Sequence, residues 1–308
     1  MKAIQMTDFG GPDVLAYRDT TDPVPGAGDV VVDVHAASVN PVDWKIRNGG
    51  HPACSKLTMP HILGVDFSGV VRTVGEGVVG FSPKDEVFGV CAQERDGAYA
   101  EAVALSASQI SFKPPSLSHV ETASIALTGL TALYALDDYA KIKSGETVLI
   151  HAGAGGVGGF GIQYAKHVGA TVWSTASAAN HDYVRSLGAD EVIDYNSEDF
   201  TEAAPACDVV FDTVGGEVHA RSFKILKEDG RFVYVTRPPD GFQPPAGATY
   251  LRPQVNRDSA HMARIAELVA AGAVSPPEIA VWKLEDAARA HEESAKGHVR
   301  GKIVFQIR

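Results

Sequence analysis

The spacing of apolar and polar positions changes near residue 120. Before that point, in VVVDVHAASV, the residues Val30, Val32 and Val34 fall on one side at period two, which predicts a half-buried β-strand. Other short β-like runs follow between Gly, Pro and Asp turns, namely FSGVVRTVGEGV, DEVFGV and AYAEAVAL. This half predicts a partly open antiparallel barrel or sandwich.

After residue 122, strands and helices alternate at short spacing. The predicted strands are ETVLIH, TVWSTA, EVIDY, CDVVFDTV and GRFVYVT. The predicted helices run through Lys166, over HDYVRSLGA and over EVHARSFKIL. This alternation is typical of an α/β fold, a doubly wound parallel sheet covered by helices on both faces.

The C-terminal segment no longer shows this regular alternation of strands and helices. It carries a helix over AHMARIAELVAAG, an amphipathic stretch over LEDAARAHEESAKG and a final strand in GKIVFQI, which we expect to rejoin the first domain. The predicted division is a β-rich domain of residues 1–122 and 256–308, with residues 123–255 inserted as a parallel-sheet domain. The Pro-rich segment RPPDGFQPPAG, residues 237–247 near the end of the inserted domain, predicts a boundary loop or a mobile lid.

Composition limits the partners. The chain has 308 residues, 45% of them apolar, and a formal net charge of −11, which argues against a nucleic-acid or anionic-membrane partner. It holds 3 widely spaced cysteines, Cys54, Cys91 and Cys207, which suggest neither a disulfide framework nor a CxxC metal site. A reducing cytoplasm fits this cysteine pattern best, and neither a signal peptide nor a membrane-spanning stretch is visible.

A glycine motif follows the first strand of the inserted domain. In HAGAGGVGGFG, Gly153, Gly155 and Gly158 form a GxGxxG that also includes Gly156 and Val157. Its glycines serve the tight turn, the close approach of backbone to a diphosphate, and close helix packing, while amides at the helix start receive the phosphates. The motif predicts dinucleotide binding; the alternative is a turn that only lets a helix pack close to its strand.

The end of the second strand selects the dinucleotide. NAD binders usually place Asp or Glu there, but this chain has STAS, with Ser174, Thr175 and Ser177 as candidate cofactor contacts. Small hydroxyl residues leave room for a 2′-phosphate and can donate hydrogen bonds to it, so we expect NADPH. His181 or Arg185 would supply the missing positive charge. Alternatively, Ser and Thr only cap the next helix.

Five segments together resemble the zinc-free quinone oxidoreductase branch of the medium-chain dehydrogenase/reductase superfamily, which includes zeta-crystallin-like proteins. They are the glycine segment, TASAANHDYVRSLGADEVIDY, FDTVGG, AASVNPVDWKIRNG and GHVRGKIV. The resemblance covers nearly the whole chain. It implies a GroES-like substrate domain, a Rossmann domain inserted in it, a cleft between the two, NADPH as cofactor and a homodimer.

The resemblance also raises the question of zinc, since zinc alcohol dehydrogenases share this architecture. Where they carry His and Glu, this chain has Val65 and Asp66 in LGVDFSGVV, and the four-cysteine lobe for a structural zinc is missing. A lone aspartate is a poor zinc site. We therefore expect no metal.

By resemblance, SVNPVDWKIRNGGH lines the nicotinamide side, so Asn40, Asp43 and His51 are the catalytic candidates. Asn40 would orient the carboxamide or a substrate carbonyl, and Asp43 would order the loop. The alternative is an Asn-Pro turn with a capping Asp. His51 stands where many relatives have a tyrosine; it would donate a hydrogen bond, or it is simply solvated.

Other cofactor contacts are implied by the same match. Thr128 and Thr131 are expected to begin the helix that crosses between the domains, where capping is the alternative role. Tyr195, Val214, Gly215 and Thr236 follow strand ends, and Lys302 would reach the cofactor from the tail. The remaining predicted cofactor contacts are those of the glycine motif and STAS.

These features predict an NADPH-dependent, zinc-free oxidoreductase that transfers hydride to quinones. A reductase of α,β-unsaturated aldehydes or ketones is the alternative, and it would also need a proton donor for the alpha carbon. An NADPH-binding redox sensor or structural protein with little turnover would show the same glycine motif. Zinc-dependent alcohol dehydrogenase chemistry would require bound metal.

Overall fold

The computed structural model describes residues 1–308 and divides into two compact units. Unit 1 comprises Met1–Leu127, Arg257–Ala271 and Pro276–Arg308, and unit 2 comprises Thr128–Asn256 and Gly272–Ser275. The sequence predicts that the domains meet at 122/123 and 255/256. In the structure, the first transition lies between Leu127 and Thr128, inside a helix. The structure also assigns residues 272–275 to the inserted unit.

Unit 1 is built mainly from antiparallel strands, numbered in chain order. A small sheet pairs β1 (Lys2–Met6) with β2 (Leu15–Asp19) and β4 (His61–Ile62). A seven-stranded sheet contains β3 (Asp29–Ser38), β5 (Asp66–Val74), β6 (Glu86–Val90), β7 (Ala102–Ser106), β8 (Ile110–Phe112), β15 (Ile279–Lys283) and β16 (Lys302–Gln306).

The C-terminal strand rejoins unit 1, as the sequence predicts. Strand β16 pairs antiparallel with β3, with Val304 opposite Ser38, and parallel with β15. The β15–β16 pair is the exception to the expected antiparallel pattern. Phe67 and Phe305 of the sheet and Tyr99 of the segment before β7 are fully buried and belong to the core of the unit.

The helices of unit 1 are α1 (Pro41–Arg47), α7 (Ser259–Ala270) and α8 (Ala287–Ala295), and α2 (His119–Leu133) contains the transition from unit 1 to unit 2. Helix α2 begins with a capping box, in which Ser118 Oγ accepts from the Glu121 amide (3.2 Å) and the Glu121 carboxylate accepts from the Ser118 amide (2.8 Å). Thr128 and Thr131 therefore lie inside the helix. The prediction that they begin it, or cap it, is wrong.

Unit 2 contains a six-stranded sheet in which every pair is parallel. Its strands are β9 (Thr147–Ile150), β10 (Thr171–Ala176), β11 (Glu191–Asp194), β12 (Cys207–Asp212), β13 (Leu226–Tyr234) and β14 (Thr249–Leu251). Its helices are α3 (Gly156–Val168), α4 (His181–Ser186), α5 (Phe200–Ala203) and α6 (Gly216–Arg221), and a π-helical segment at Tyr134–Tyr139 follows α2.

The strand order β11-β10-β9-β12-β13-β14 is that of a doubly wound dinucleotide-binding sheet. The predicted α/β fold is thus confirmed. The order reverses between β9 and β12, and ligands of such sheets bind at the carboxyl ends of the strands at this reversal. No helix in the structure combines the length and apolar character needed to cross a bilayer.

Candidate active site

The glycine-rich turn lies at the carboxyl end of β9, on one side of the strand-order reversal. Gly155 is the N-cap of α3 in an extended conformation (φ −82°, ψ 168°), and no side chain caps the helix. Amides of the first helical turn have no intrahelical partner, and the helix dipole places positive potential there. The turn can therefore accept an anion even though the protein is acidic.

The three glycines of the motif meet different surroundings. A Cβ on Gly153 would lie 2.2 Å from Ser174 Oγ, and one on Gly158 would lie 2.4 Å from the carbonyl oxygen of Ala152. A Cβ on Gly155 would meet only that same oxygen, at 3.4 Å. Gly153 and Gly158 are thus required by packing, whereas Gly155 faces open space where a ligand can approach. Gly156 and Val157 form the first turn of α3, half-buried.

The STAS segment requires a correction. Ser174 is fully buried, and its hydroxyl donates to the Ile150 carbonyl (2.7 Å). Thr175 is also buried, and its Oγ1 accepts from the Ala152 amide (3.1 Å). Both lie within β10, which is covered on both faces, so they shape the turn and do not reach a 2′-phosphate. Only Ser177, beyond the end of the strand, is partly exposed.

Two basic residues follow Ser177. The Nε2 atom of His181, at the start of α4, is buried and has no hydrogen-bond partner. Arg185, in the same helix, is exposed and forms no ion pair. These two side chains and Ser177 are the groups at this strand end that can bind a phosphate.

The loops after the neighbouring strands carry further predicted contacts. Val214 is 48% exposed after β12, and Tyr195 is 50% exposed after β11. Gly215 has a left-handed backbone (φ 81°), and a Cβ there would lie 2.9 Å from Thr236 Oγ1. That threonine oxygen is buried and has no partner, so it is available to a ligand amide or hydroxyl.

Unit 1 contains a buried polar cluster at the N-terminus of α1. It consists of Ser38, Asn40, Asp43, Asp66, Tyr99 and Lys302, and we call it the Asn40 cluster. All six side chains are at most 5% exposed. Lys302 Nζ donates to Asn40 Oδ1 (2.7 Å) and to the Val39 carbonyl, and Asn40 Nδ2 donates to Asp66 Oδ1 (2.8 Å).

The carboxylates of the Asn40 cluster are held differently. Asp66 accepts from Ser38 Oγ (2.9 Å) and from the Leu127 amide (3.3 Å), whereas Asp43 Oδ2 accepts from the Asn40 amide (2.8 Å) and Tyr99 Oη (2.9 Å). Asp43 Oδ1 has no partner. Burial raises the pKa of Asp43 to about 7 and raises the pKa of Asp66, while burial lowers the pKa of Lys302.

The cluster corrects two predicted roles. Both polar atoms of the Asn40 side chain are engaged inside unit 1, so Asn40 is not free to orient a substrate carbonyl. The Lys302 ammonium is likewise buried against Asn40 and Val39, so the prediction that it reaches out from the tail to the cofactor does not fit its position. Asp43 orders the start of α1, the role the sequence favoured.

His51 and Lys45 lie near the cluster in sequence but outside it. His51 Nδ1 accepts from the Ala53 amide (3.2 Å), and the pKa of His51 is lowered by burial and then by the charges of Lys45 and Arg257. Lys45 Nζ lies 5.4 Å from the centre of the Trp44 ring and forms no ion pair, and burial lowers its pKa. Lys45 was not predicted as a site residue, because a lysine on a short helix is usually solvated.

Two family descriptions match the chain: "alcohol dehydrogenase GroES-like domain" over residues 26–116 and "zinc-binding dehydrogenase" over residues 187–305. The structure is similar to the quinone oxidoreductase of Coxiella burnetii, with a TM-score of 0.92 and 39% identity over 100% of this chain and 99% of that one. The chain belongs to the quinone oxidoreductase branch of the medium-chain dehydrogenase/reductase superfamily. The family expected from the sequence is confirmed, and the protein is an oxidoreductase.

Two further members sharpen the comparison. The chain is 38% identical to the 2-methylene-furan-3-one reductase of Solanum lycopersicum, over 79% of this chain and 64% of that protein. A mycobacterial structure described as complexed with NADPH has a TM-score of 0.86 and 29% identity, over 99% of this chain and 100% of that one. The superfamily binds NAD(P) cofactors, and this member carries the uncapped turn and the unpartnered Thr236 and His181 atoms that fit one.

A zinc ion, in contrast, does not fit the residues of this member. The Asp66 carboxylate, the one acidic group in LGVDFSGVV, is occupied by hydrogen bonds from Ser38, Asn40 and Leu127. No group of three or more His, Cys, Asp or Glu side chains converges on a metal position. Burial raises the pKa of the Cys91 and Cys207 thiols to about 12, so both are protonated near neutral pH.

Proposed function

We propose that this protein is an NADPH-dependent, zinc-free reductase that transfers hydride to quinones. The observation that carries the proposal is the uncapped start of α3, with Gly155 facing open space at the reversal of strand order. Backbone amides there would hold the diphosphate of the cofactor. The Coxiella relative is named a quinone oxidoreductase, and the mycobacterial relative is described with NADPH, both in support.

The preference for NADPH rests on the end of β10. The end of β10 itself carries no Asp or Glu, and Ser177, His181 and Arg185 offer a hydroxyl, an unpartnered ring nitrogen and a free cation. A 2′-phosphate would engage all three, whereas NADH would leave the His181 atom without a partner.

The reduced cofactor supplies the hydride when it is bound. On the substrate side, unit 1 contributes a cation and a neutral hydrogen-bond donor. Because His51 Nδ1 accepts from a backbone amide and the pKa of His51 is lowered, the neutral ring carries its proton on Nε2. His51 can therefore stabilise a developing oxyanion by hydrogen bonding, and the Lys45 ammonium can add charge.

Lys45 also keeps the second candidate function open. Reduction of an α,β-unsaturated ketone needs a proton at the alpha carbon, and the Lys45 ammonium, whose pKa is lowered by desolvation, is a group of this segment that can donate one. The tomato relative is named a 2-methylene-furan-3-one reductase, a name that describes an enone substrate.

A panel of quinones, enals, enones and alcohols, each with NADPH and NADH in parallel, tests the function. We expect turnover of 9,10-phenanthrenequinone with NADPH exceeding that with NADH. Tight NADPH binding without turnover of any compound would instead indicate a redox sensor or structural protein. Turnover of alcohols together with stoichiometric zinc in elemental analysis would contradict the proposal.

The variant Lys45→Met, compared with His51→Gln, separates the two substrate classes. If Lys45 acts only through charge, quinone and enone turnover fall in parallel. If it delivers the proton, enone turnover falls at least ~10-fold more than quinone turnover, in keeping with the effect of a positioned acid.

We also propose a cytoplasmic homodimer. The support is the family resemblance and the absence of disulfides among Cys54, Cys91 and Cys207, two of which are buried. Light scattering of the purified protein tests the dimer, and a monomeric mass at micromolar concentration would contradict it.

A further inference from the structure

A second buried polar chain lies in unit 2, beside the loop that follows β12. Asp212, the last residue of β12, and His219, in α6, are both fully buried. His219 Nδ1 lies 2.6 Å from Asp212 Oδ2, and His219 Nε2 lies 2.7 Å from Tyr250 Oη on the edge strand β14. We call Tyr250, His219 and Asp212 the edge relay.

The directions of its hydrogen bonds follow from the groups at its ends. Asp212 Oδ1 accepts from the amides of Val214 (2.8 Å) and Gly215 (2.9 Å). The carboxylate can therefore take the His219 Nδ1 proton on its other oxygen, and in that tautomer Nε2 accepts from the Tyr250 hydroxyl. Burial raises the pKa of Tyr250, so that hydroxyl keeps its proton.

The surroundings of His219 are aromatic. The rings of Phe223, Phe232, Tyr234, Phe242 and Tyr250 lie with centroids 4.8–6.4 Å from the imidazole. A polar chain in such an environment is costly unless every member is satisfied, and each member of the edge relay has a partner. An apolar side chain at position 219 could fill the same space, so the hydrogen-bonded histidine indicates a role beyond packing.

The turn at the other end of the edge relay, which Asp212 holds, indicates what this role is. The Val214–Gly216 turn stands beside the strand-order reversal, and Gly215 lies against Thr236, whose buried hydroxyl has no partner. We propose that His219 is a positioning residue for the cofactor: through Asp212 it fixes the Val214–Gly216 turn against Thr236, and through Tyr250 it ties that turn to the sheet edge. This inference rests on the proposed function.

The test measures NADPH dissociation constants by fluorescence titration, together with thermal unfolding. His219→Leu removes both hydrogen bonds, whereas His219→Asn keeps an N–H group that can still donate to Asp212. We expect His219→Leu to raise the NADPH dissociation constant at least ~10-fold, with the KM for quinone unchanged, and His219→Asn to recover most of the loss. Tyr250→Phe should raise the constant ~3-fold.

Two controls distinguish positioning from packing. Phe223→Leu disturbs the same aromatic cluster without touching a hydrogen bond, and His291→Phe replaces a buried histidine of unit 1 whose ring nitrogens have no partners. Both should leave the NADPH dissociation constant unchanged at a comparable loss of melting temperature.

The outcomes separate this inference from the proposed function. If the unmodified protein binds neither NADPH nor NADH, the proposed function fails. If it binds NADPH but Tyr250→Phe and His219→Asn bind it as tightly as the unmodified protein, and His219→Leu weakens binding no more than Phe223→Leu, the positioning role is overturned. Should His219→Leu not fold, the two milder variants decide.

Discussion

The glycine-rich turn of unit 2 leaves backbone amides without partners, whereas the Asn40 cluster of unit 1 gives nearly every buried polar atom one. At the turn, no side chain caps α3 and Gly155 faces open space. In the cluster, Asp43 Oδ1 alone lacks a partner among the polar side-chain atoms. Because unmet hydrogen-bonding capacity is costly in a folded protein, the first region is built to receive a ligand.

The second region is built to support one. Asn40, Asp66 and Lys302 come from three segments of the chain, and their hydrogen bonds join the end of β3 to the starts of α1, β5 and β16. An internal charge network occupies this part of the fold, and it holds the segment that carries Lys45 and His51.

The largest effect should come from breaking this network. Lys302→Met leaves Asp66 without its nearby cation and removes the hydrogen bond to Asn40 Oδ1. Removing one partner from a buried set of charges costs about 3–5 kcal/mol. We expect a loss of this size in the free energy of unfolding, measured by urea denaturation.

A double variant checks that the loss belongs to the network. Combining Lys302→Met with Asp66→Asn should cost less than the sum of the single changes, because the unpaired carboxylate is then absent. A loss below ~1 kcal/mol for Lys302→Met, or strict additivity, would show that the network contributes little to stability.

At the glycine-rich turn, in contrast, we expect a substitution to weaken cofactor binding with little loss of stability. Gly155→Val puts bulk where the diphosphate would lie but meets only one protein atom at an ordinary distance. We expect the NADPH dissociation constant to rise ~100-fold, or about 2.8 kcal/mol, with little change in the melting temperature.

Gly155→Ala is the matched control for that variant and should weaken NADPH binding less than ~10-fold. If Gly155→Val bound NADPH as tightly as the unmodified protein, the turn would not be the diphosphate site.

The difference between a local motif and a cluster assembled from distant segments explains which features could be predicted from the sequence. The glycine motif is local, so its spacing and its place after a strand were sufficient to predict the turn. Ser118 and Glu121 also carried a local signal, a capping box that places the start of α2 well before Thr128, but this signal was overlooked.

The Asn40 cluster and the edge relay could not be predicted in this way. Lys302 meets Asn40 across 262 positions of sequence, and Tyr250 meets His219 across 31. Such contacts depend on which strands become neighbours. Ser174 and Thr175 were misassigned for a related reason: hydroxyl residues look available in the sequence, but a strand covered on both faces buries them.

A smaller effect concerns pH. Burial raises the pKa of Asp43 to about 7 in the folded protein, from an ordinary value of 3.8. The folded state therefore keeps a proton that the unfolded state releases, so stability from this group is full below about pH 4 and is lost as the pH rises toward 7.

Urea unfolding between pH 4 and pH 8 tests this expectation. At about 1.4 kcal/mol per pKa unit, a rise from 3.8 to about 7 corresponds to at most about 4.5 kcal/mol, and because Asp43 interacts with the charges of Asp66 and Lys302 we expect a loss of about 1–3 kcal/mol. Asp43→Asn should flatten part of the slope, the remainder belonging to Asp66, whose pKa is raised in the same direction. An unchanged slope in Asp43→Asn would contradict the raised pKa.

The smallest effect is expected from the exposed cation beside the turn. Arg185 forms no ion pair and is exposed, so its attraction to a 2′-phosphate is screened by water and salt. Arg185→Ala should weaken NADPH binding by ~3–5-fold, about 0.7–1 kcal/mol, and leave NADH binding unchanged. The difference should shrink as salt is raised from 0.05 to 0.5 M in the titration. Equal weakening of both cofactors would mean that Arg185 acts on the fold of α4, and Ser177 and His181 would then have to hold the phosphate alone.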